Sequence, residues 1–532
     1  MMFREGQENV IKEILEAMKK NKVIFLDAPT GSGKSYINLA LAKLRGSGYI
    51  TTPLKSLVNQ YRDSLLNNSS YKEFDATVLK GRNDYPCLYL QNGGIEDATA
   101  DGAPCESPPK DWSCPMRDSC PYYIDRDIAR AKSITATTLA YMFTGIRKGM
   151  DIMIRIPQTD PPQYEQLWKT RKVLIIDEAH NIDDQLVDFY TIEVGSKSYT
   201  RVITNTVRIS FNYQALVNEP TLEKLSFLIK EEISEIDEYT DRFQGNDNIL
   251  AKLAKLKTSL VRTLEKINFD VRYIYSKEGD KLKWKPYVVA PFTKKFFERF
   301  DNIVLSSATF VDPELLIQNL GLPNTYKIVK MKSTFPAKNS LVKLYPIAKI
   351  SQKTLSNDLK LVVNGLNKIA KIHKNERGFI HCKTYEIQRY IFENSPPELK
   401  NRLWRHDSET RESALKEWID ANEKNSIFLS VHMGEGVDLV DDIARWQVIV
   451  KVPYLYRGDK YVMEHLAEQN GQRWYNQKAI IELIQMCGRV MRSKEDWGVT
   501  YILDSMALSL LFGNKTMLPD WFKERLKLER IL

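Results

Sequence analysis

Two apolar rhythms alternate along the chain. Runs such as "VIFLD" (23–27), "GYITT", "ATVL", "SITAT" and "KVLIID" are continuous and strand-sized. Val10, Ile11, Ile14, Leu15 and Met18 instead recur at helical spacing. Buried strands separated by helices predict a parallel sheet with crossover helices. "NIVLSSAT" (302–309) returns to that sheet. From about 336 a second series begins, with "RGFIH", "SIFLS", "WQVIVK" and "GVTYIL" as its strand cores.

Two stretches break the rhythm. Residues 82–130 are rich in Pro, Gly and Asp and carry four of the six cysteines. Residues 195–290 are helical in pattern. Leu222, Leu225, Ile229, Ile233 and Ile236 form one stripe. After the turn signal "QGNDN", Leu253, Leu256, Leu260, Leu264 and Ile267 form a heptad seam. A helical hairpin is expected there. The expected division is 1–81, 131–194 and 291–335 for a first α/β domain and 336–532 for a second. Residues 82–130 and 195–290 are two insertions in the first.

At 532 residues the chain exceeds what one hydrophobic core serves. A net charge of +9 leans weakly toward an anionic partner. No apolar run approaches the roughly 18 residues that span a bilayer. "MMFREGQENV" lacks the apolar core of a signal peptide. The expected location is a reducing, cytoplasmic compartment (nucleoid or nucleus if cellular), with no membrane partner and few structural disulfides.

The clearest chemistry lies in "LDAPTGSGKS". Ala28, Pro29, Thr30, Gly31, Ser32, Gly33, Lys34 and Ser35 stand in P-loop register, after an apolar strand and at the start of a helix. Glycines let backbone N–H groups close around phosphate oxygens, and the helix N-terminus adds positive partial charge. Lys34 is placed to reach the β- and γ-phosphates of ATP, and the Ser35 hydroxyl to ligate Mg²⁺. "VLIIDEAHN" ends a second buried strand in two carboxylates. Asp177 suits Mg²⁺, and Glu178 suits orienting and deprotonating the attacking water.

Cys87, Cys105, Cys114 and Cys120 are separated by 17, 8 and 5 residues. A reducing compartment disfavours disulfides. Zinc sites usually show close C-x₂₋₄-C pairs, and none occurs here. A [4Fe–4S] cluster tolerates wider loops, and Cys114-Pro115 and Cys120-Pro121 suit ligands followed by stiff turns. Cluster, zinc and unligated thiols stay open on spacing alone. Cys382 and Cys487 fall within expected core elements.

"APTGSGKS", "DEAH", "SAT", "GEGVDL" and "QMCGRVMR", in that order, resemble the motif set of superfamily 2 helicases. The cysteine cluster before DEAH, the helical insertion after it, "STFPAKN" (333–339) and the run through Asp504 resemble the XPD/DinG branch of iron–sulfur DNA helicases. The resemblance covers nearly the whole chain. It implies two RecA-like motor domains, with an iron–sulfur insertion and a helical arch-like insertion in the first. It implies a [4Fe–4S] cluster on the four cysteines, beside ATP and Mg²⁺, and a wedge role for that insertion. It also implies that Gln7 reads adenine, that Gln485, Arg489 and Arg492 serve the γ-phosphate, and that Ser307, Ala308 and Thr309 couple hydrolysis to movement. Gly434, Glu435, Gly436 and Asp438 would link the nucleotide and nucleic-acid sites.

The expected activity is an ATP-dependent DNA helicase or translocase acting on single-stranded DNA and at forks, for which the resemblance implies 5′→3′ movement. It is expected to work as a monomer. The alternatives are a translocase or an RNA or RNA–DNA hybrid helicase that unwinds little DNA, and a nucleic-acid-binding scaffold with an inactive ATPase. Intact Lys34, Glu178, Arg489 and Arg492 argue against the scaffold. Candidate track residues are Thr52, Lys55, Gln60, His381, Lys383 and Thr384, with Arg82, Tyr85, Trp112, Tyr122 and Tyr123 near the cysteines.

Overall fold

The computed structural model describes residues 3, 6–29, 31–106, 113–155, 163–196, 200–202, 207–243, 245–332, 336–350, 355–431, 441–489 and 496–529. Strands buried along their whole length, such as Val23–Asp27 and Val173–Asp177, build two seven-stranded sheets. The first runs in the order Tyr326–Lys330, Val23–Asp27, Asn302–Ser307, Val173–Asp177, Gly48–Thr52, Ile134–Thr138, Ala76–Leu79. Its ladders from Asn302–Ser307 to Ala76–Leu79 are parallel. The second runs Leu403–Trp404, Ile427–Ser430, Gly378–His381, Trp446–Ile449, Val499–Asp504, Val342–Ala348, Leu526–Leu528, and all of these ladders are parallel. These are two RecA-like α/β sheets.

The chain forms two compact units. One holds Met1–Leu26, Ser35–Ser306 and Glu314–Val329, and the other holds Asp27–Lys34, Ser307–Pro313 and Lys330–Leu532. In the first unit, the helices Leu222–Arg242 and Asp247–Ile267 start at Thr221 and Asn246, whose side chains accept backbone N–H groups. Their stripes meet in one core: Leu225, Ile229, Ile236, Leu253, Leu256 and Leu260 are buried together. That core also takes in Ile192, Val194, Leu282 and Trp284 from a three-stranded antiparallel sheet formed by Ile192–Gly195, Tyr273–Glu278 and Lys281–Pro286. The helical pattern anticipated the hairpin but not this sheet. The cysteine-bearing insertion has a small core of its own, in which Cys87, Leu90 and Ala103 pack with Ala251 of the hairpin.

Candidate nucleotide site

Gly31 and Gly33 have φ of 78° and 79°, the left-handed region a tight phosphate loop needs. Lys34 Nζ points back across this loop and donates to the Ala28 carbonyl at 3.5 Å. Ala28 N donates to the Ser307 carbonyl at 2.9 Å, so the P-loop leans on the end of the SAT strand. Thr30 lies outside the described residues. Asp27, just before the loop, is buried, which pushes its carboxyl up to about 7. Lys330 and Lys34 pull it down, and Asp520 pushes it further up.

The candidate metal ligands meet through a residue that sequence reasoning passed over. The buried Tyr61 hydroxyl donates to Asp177 Oδ2 at 2.9 Å, accepts from Asn38 Nδ2 at 3.0 Å and is joined to the Ser35 side chain. Burial, then the Asp177 charge, raises the Tyr61 pKa well above its usual value, so the phenol stays a donor. Glu178 has φ of 52°, rare for a non-glycine residue and a common mark of functional positions. Its backbone N–H donates to Asp177 Oδ1 at 3.1 Å, and His180 Nδ1 lies 3.4 Å from its carboxylate. Gln7 is buried at the first position of its helix.

In the second unit, Gln485 Nε2 donates to Thr309 Oγ1 at 2.9 Å. Arg489 is buried one turn on, near His381. Arg492, Gly434, Glu435, Gly436 and Asp438 lie outside the described residues.

Among the described residues, no three Cys, His, Asp or Glu side chains stand close enough to hold a single metal ion. The four insertion cysteines nevertheless lie within electrostatic reach of one another: Cys87 with Cys105 and Cys114, and Cys114 with Cys105 and Cys120. Three of the sulfurs already have donors. Backbone N–H groups of Leu90 and Tyr89 serve Cys87, and that of Met116 serves Cys114. Arg82 Nη1 approaches Cys105 Sγ at 3.5 Å, and Tyr123 also bonds to it. Cys382 and Cys487 are buried in the cores of the second unit.

Several expected track residues have other work. Thr52 is buried and donates to the Leu54 carbonyl at 3.0 Å. His381 is buried, held neutral by burial that pushes it down to about 4, and bonded to Gln447 at 3.1 Å. Thr384 caps the helix Tyr385–Asn394. Tyr85 bonds to Asp125 at 2.9 Å, and Tyr122 to Tyr141 at 2.7 Å. Arg82 lies over the Tyr122 ring at 4.4 Å and donates to the Ala100 carbonyl. Burial opposes its charge, but Tyr122, Cys105 and Glu106 more than offset this. These side chains serve packing, helix capping and the cysteine module. Lys55 and Gln60 are exposed, and Lys383 is partly exposed with φ of 66°. Trp112 lies outside the described residues. The first unit also contains a cavity of about 1040 Å³, lined by Tyr89, Tyr123, Arg126, Trp168, Lys257 and Arg262 among others.

A P-loop, a DEAH strand and two parallel sheets define a RecA-like nucleotide-driven motor. Residues 1–213 match the family model "Type III restriction enzyme, res subunit", and residues 366–525 match "Helicase C-terminal domain". The chain is 22% identical to ATP-dependent DNA helicase YoaA of Escherichia coli, over 96% of this chain and 92% of that one. It is 26% identical to ATP-dependent DNA helicase XPD of Sulfolobus acidocaldarius, over 34% of each. A solved structure titled XPD_Helicase shares the fold with a TM-score of 0.69 at 16% identity, covering all of both chains. In sequence and in fold the chain is similar to XPD/DinG-like superfamily 2 helicases.

Proposed function

We propose that this chain is an ATP-dependent DNA helicase that moves 5′→3′ along single-stranded DNA as a monomer and opens duplex ahead of it at forks. The observation that carries the motor reading is the Ser35–Tyr61–Asp177 constellation, in which a buried phenol accepts from the P-loop hydroxyl and donates to the DEAH aspartate. With MgATP bound, Ser35 and Asp177 would hold the metal, which would supply positive charge to the phosphates. Lys34 leaves the Ala28 carbonyl for the phosphates, and Glu178 takes a proton from the attacking water. Gln485, Arg489 and Arg492 bind and neutralise the transferring phosphoryl group, and Gln7 reads the adenine edge. Gly434, Glu435, Gly436 and Asp438 relay nucleotide state to the strand.

The cavity supports single-strand passage through the first unit. Aromatic faces suit base stacking and guanidinium and ammonium groups suit phosphates, in a mix that is indifferent to sequence. Cys87, Cys105, Cys114 and Cys120 would hold a [4Fe–4S] cluster once drawn together: Cys114 lies within electrostatic reach of Cys87, Cys105 and Cys120, and three of the sulfurs are served by N–H or O–H donors of the kind that stabilise cluster sulfurs. Bound there, the cluster would cross-link an insertion whose own apolar core is too small to hold it.

The test is ATP turnover with and without single-stranded DNA, alongside unwinding of forks with 5′ or 3′ tails. Stimulated turnover, abolished in Lys34→Ala, and unwinding only from a 5′ tail are expected. Turnover without unwinding would favour a translocase, and preference for an RNA–DNA hybrid would move the substrate class. Iron and sulfide analysis after anaerobic purification tests the cysteines. About four irons per chain are expected, and a zinc-containing, colourless protein would sink the cluster.

A further inference from the structure

Residues 307–313 are held within the second unit by contacts beyond the one that joins two helicase motifs. Trp521 Nε1 donates to the Ala308 carbonyl at 3.3 Å. Gln485 reaches Thr309. Val311 is buried in the core formed with Val452, Ile480 and Ile484. Asp312, whose side chain is 2% exposed, forms an ion pair with Arg473 Nε.

Arg473 and Gln485 stand at opposite ends of one helix, Gly471–Cys487, which leads directly to Arg489. Two contacts at the two ends of one helix fix the direction of the 307–313 segment along that helix, which the Gln485 contact at one end does not do by itself. Asp312 makes the second contact strong. A carboxylate this buried is stabilised by a nearby counter-charge, and Arg473 supplies one. The segment also reaches the nucleotide loop, through a bond from Ala28 N to the Ser307 carbonyl.

We propose that Arg473, outside every motif of the family pattern, is a positioning residue for ATP turnover. Its ion pair with Asp312 holds the SAT segment in register with the helix that presents Gln485 and Arg489, and so holds the P-loop backbone in its reactive arrangement. Arg473 touches neither phosphate nor DNA in this role, so its loss acts on the chemical step and spares binding.

The proposal rests on the motor reading above, and the experiment separates the two. Single-strand-stimulated ATP turnover is measured on wild-type chain, Arg473→Gln, Arg473→Lys, Asp312→Asn and the Arg473→Gln/Asp312→Asn pair. Thermal melting and oligonucleotide affinity are measured in parallel. Arg473→Gln is expected to lower kcat about tenfold, the scale of energetic coupling through such networks. KM for ATP and oligonucleotide affinity should stay within about twofold. Arg473→Lys should recover most of the rate. The double variant should be no slower than the slower single one, because both break the same pair. A melting point lowered without loss of kcat, loss of affinity in step with kcat, or multiplicative single effects would overturn the proposal. A wild-type chain with no stimulated turnover would overturn both this proposal and the motor reading. Normal wild-type turnover with an unimpaired Arg473→Gln would overturn this one alone.

Discussion

Tyr61 shows what a single hydroxyl contributes. It lies 116 positions from Asp177, on a helix whose sequence suggests only a surface track, yet its hydroxyl bridges Asp177 and Ser35. Tyr61→Phe keeps the ring and deletes the bridge. Removing a donor from a buried charged acceptor costs about 1–3 kcal/mol, so turnover is expected to fall about tenfold. The Mg²⁺ concentration for half-maximal rate should rise, and a Mg²⁺ titration of ATPase activity checks this. Asp27 offers a second residue-level test. Burial raises its folded pKa to about 7 from an ordinary 3.8, so folding takes up a proton between those values. Its contribution is fully present below about pH 4 and is lost as pH rises through about 7. Asp27→Asn stays neutral, so its melting temperature should vary less between pH 4 and 7 than that of the wild type. An unchanged pH profile would count against a buried, proton-binding Asp27.

At the scale of elements, Lys266 anchors the return leg of the hairpin. Its ammonium donates to the Phe189 carbonyl and, at 3.2 Å, to that of Thr191, at the end of the helix that follows DEAH. Lys266→Met leaves those carbonyls without this donor, for a loss of about 1–3 kcal/mol. Hydrogen exchange across 222–267 should speed up while the sheet strands stay protected. Burial, with Arg262 adding to it, pulls the folded pKa of Lys266 down to about 8, so the cost of its charge is felt below pH 8 and fades as pH rises toward its ordinary value. Other elements explain what the pattern disclosed. Central strands such as Val23–Asp27 are buried on both faces, so their apolar runs announced them. Val342–Ala348 was missed because Pro346 interrupts it, and its register shifts between Leu344 and Ala348. Tyr326–Lys330 lies at a sheet edge with mixed burial and no clear period. The P-loop and DEAH residues were legible because their chemistry fixes local spacing. Tyr61, Asn38 and Arg473 were not, because their partners are distant in sequence.

Across the first unit, three segments remote in sequence surround the large cavity, and charge joins them. Arg262 of the hairpin pairs with Glu106 and with Asp101 of the cysteine-bearing insertion, and Glu265 pairs with Lys148 of the sheet domain at 2.5 Å. Ala251 packs beside Cys87 and Leu90, and a Cβ on Gly102 would meet Lys255 Cβ at 2.6 Å, so this seam is closely fitted as well as charged. If single-stranded DNA occupies the cavity, these pairs set how firmly it is retained. Arg262→Glu places like charges against Glu106 and Asp101, which should speed release of a bound oligonucleotide several-fold, an effect on dissociation rather than encounter. Glu106→Arg combined with Arg262→Glu restores one attraction and should slow release again. Because the pairs are partly exposed, raising salt should narrow the difference between wild type and Arg262→Glu. Stopped-flow release of a labelled oligonucleotide at two salt concentrations reads all three effects. Identical release rates for the three proteins at low salt would place the strand outside the cavity, with the nucleotide chemistry at Ser35 and Asp177 untouched by that result.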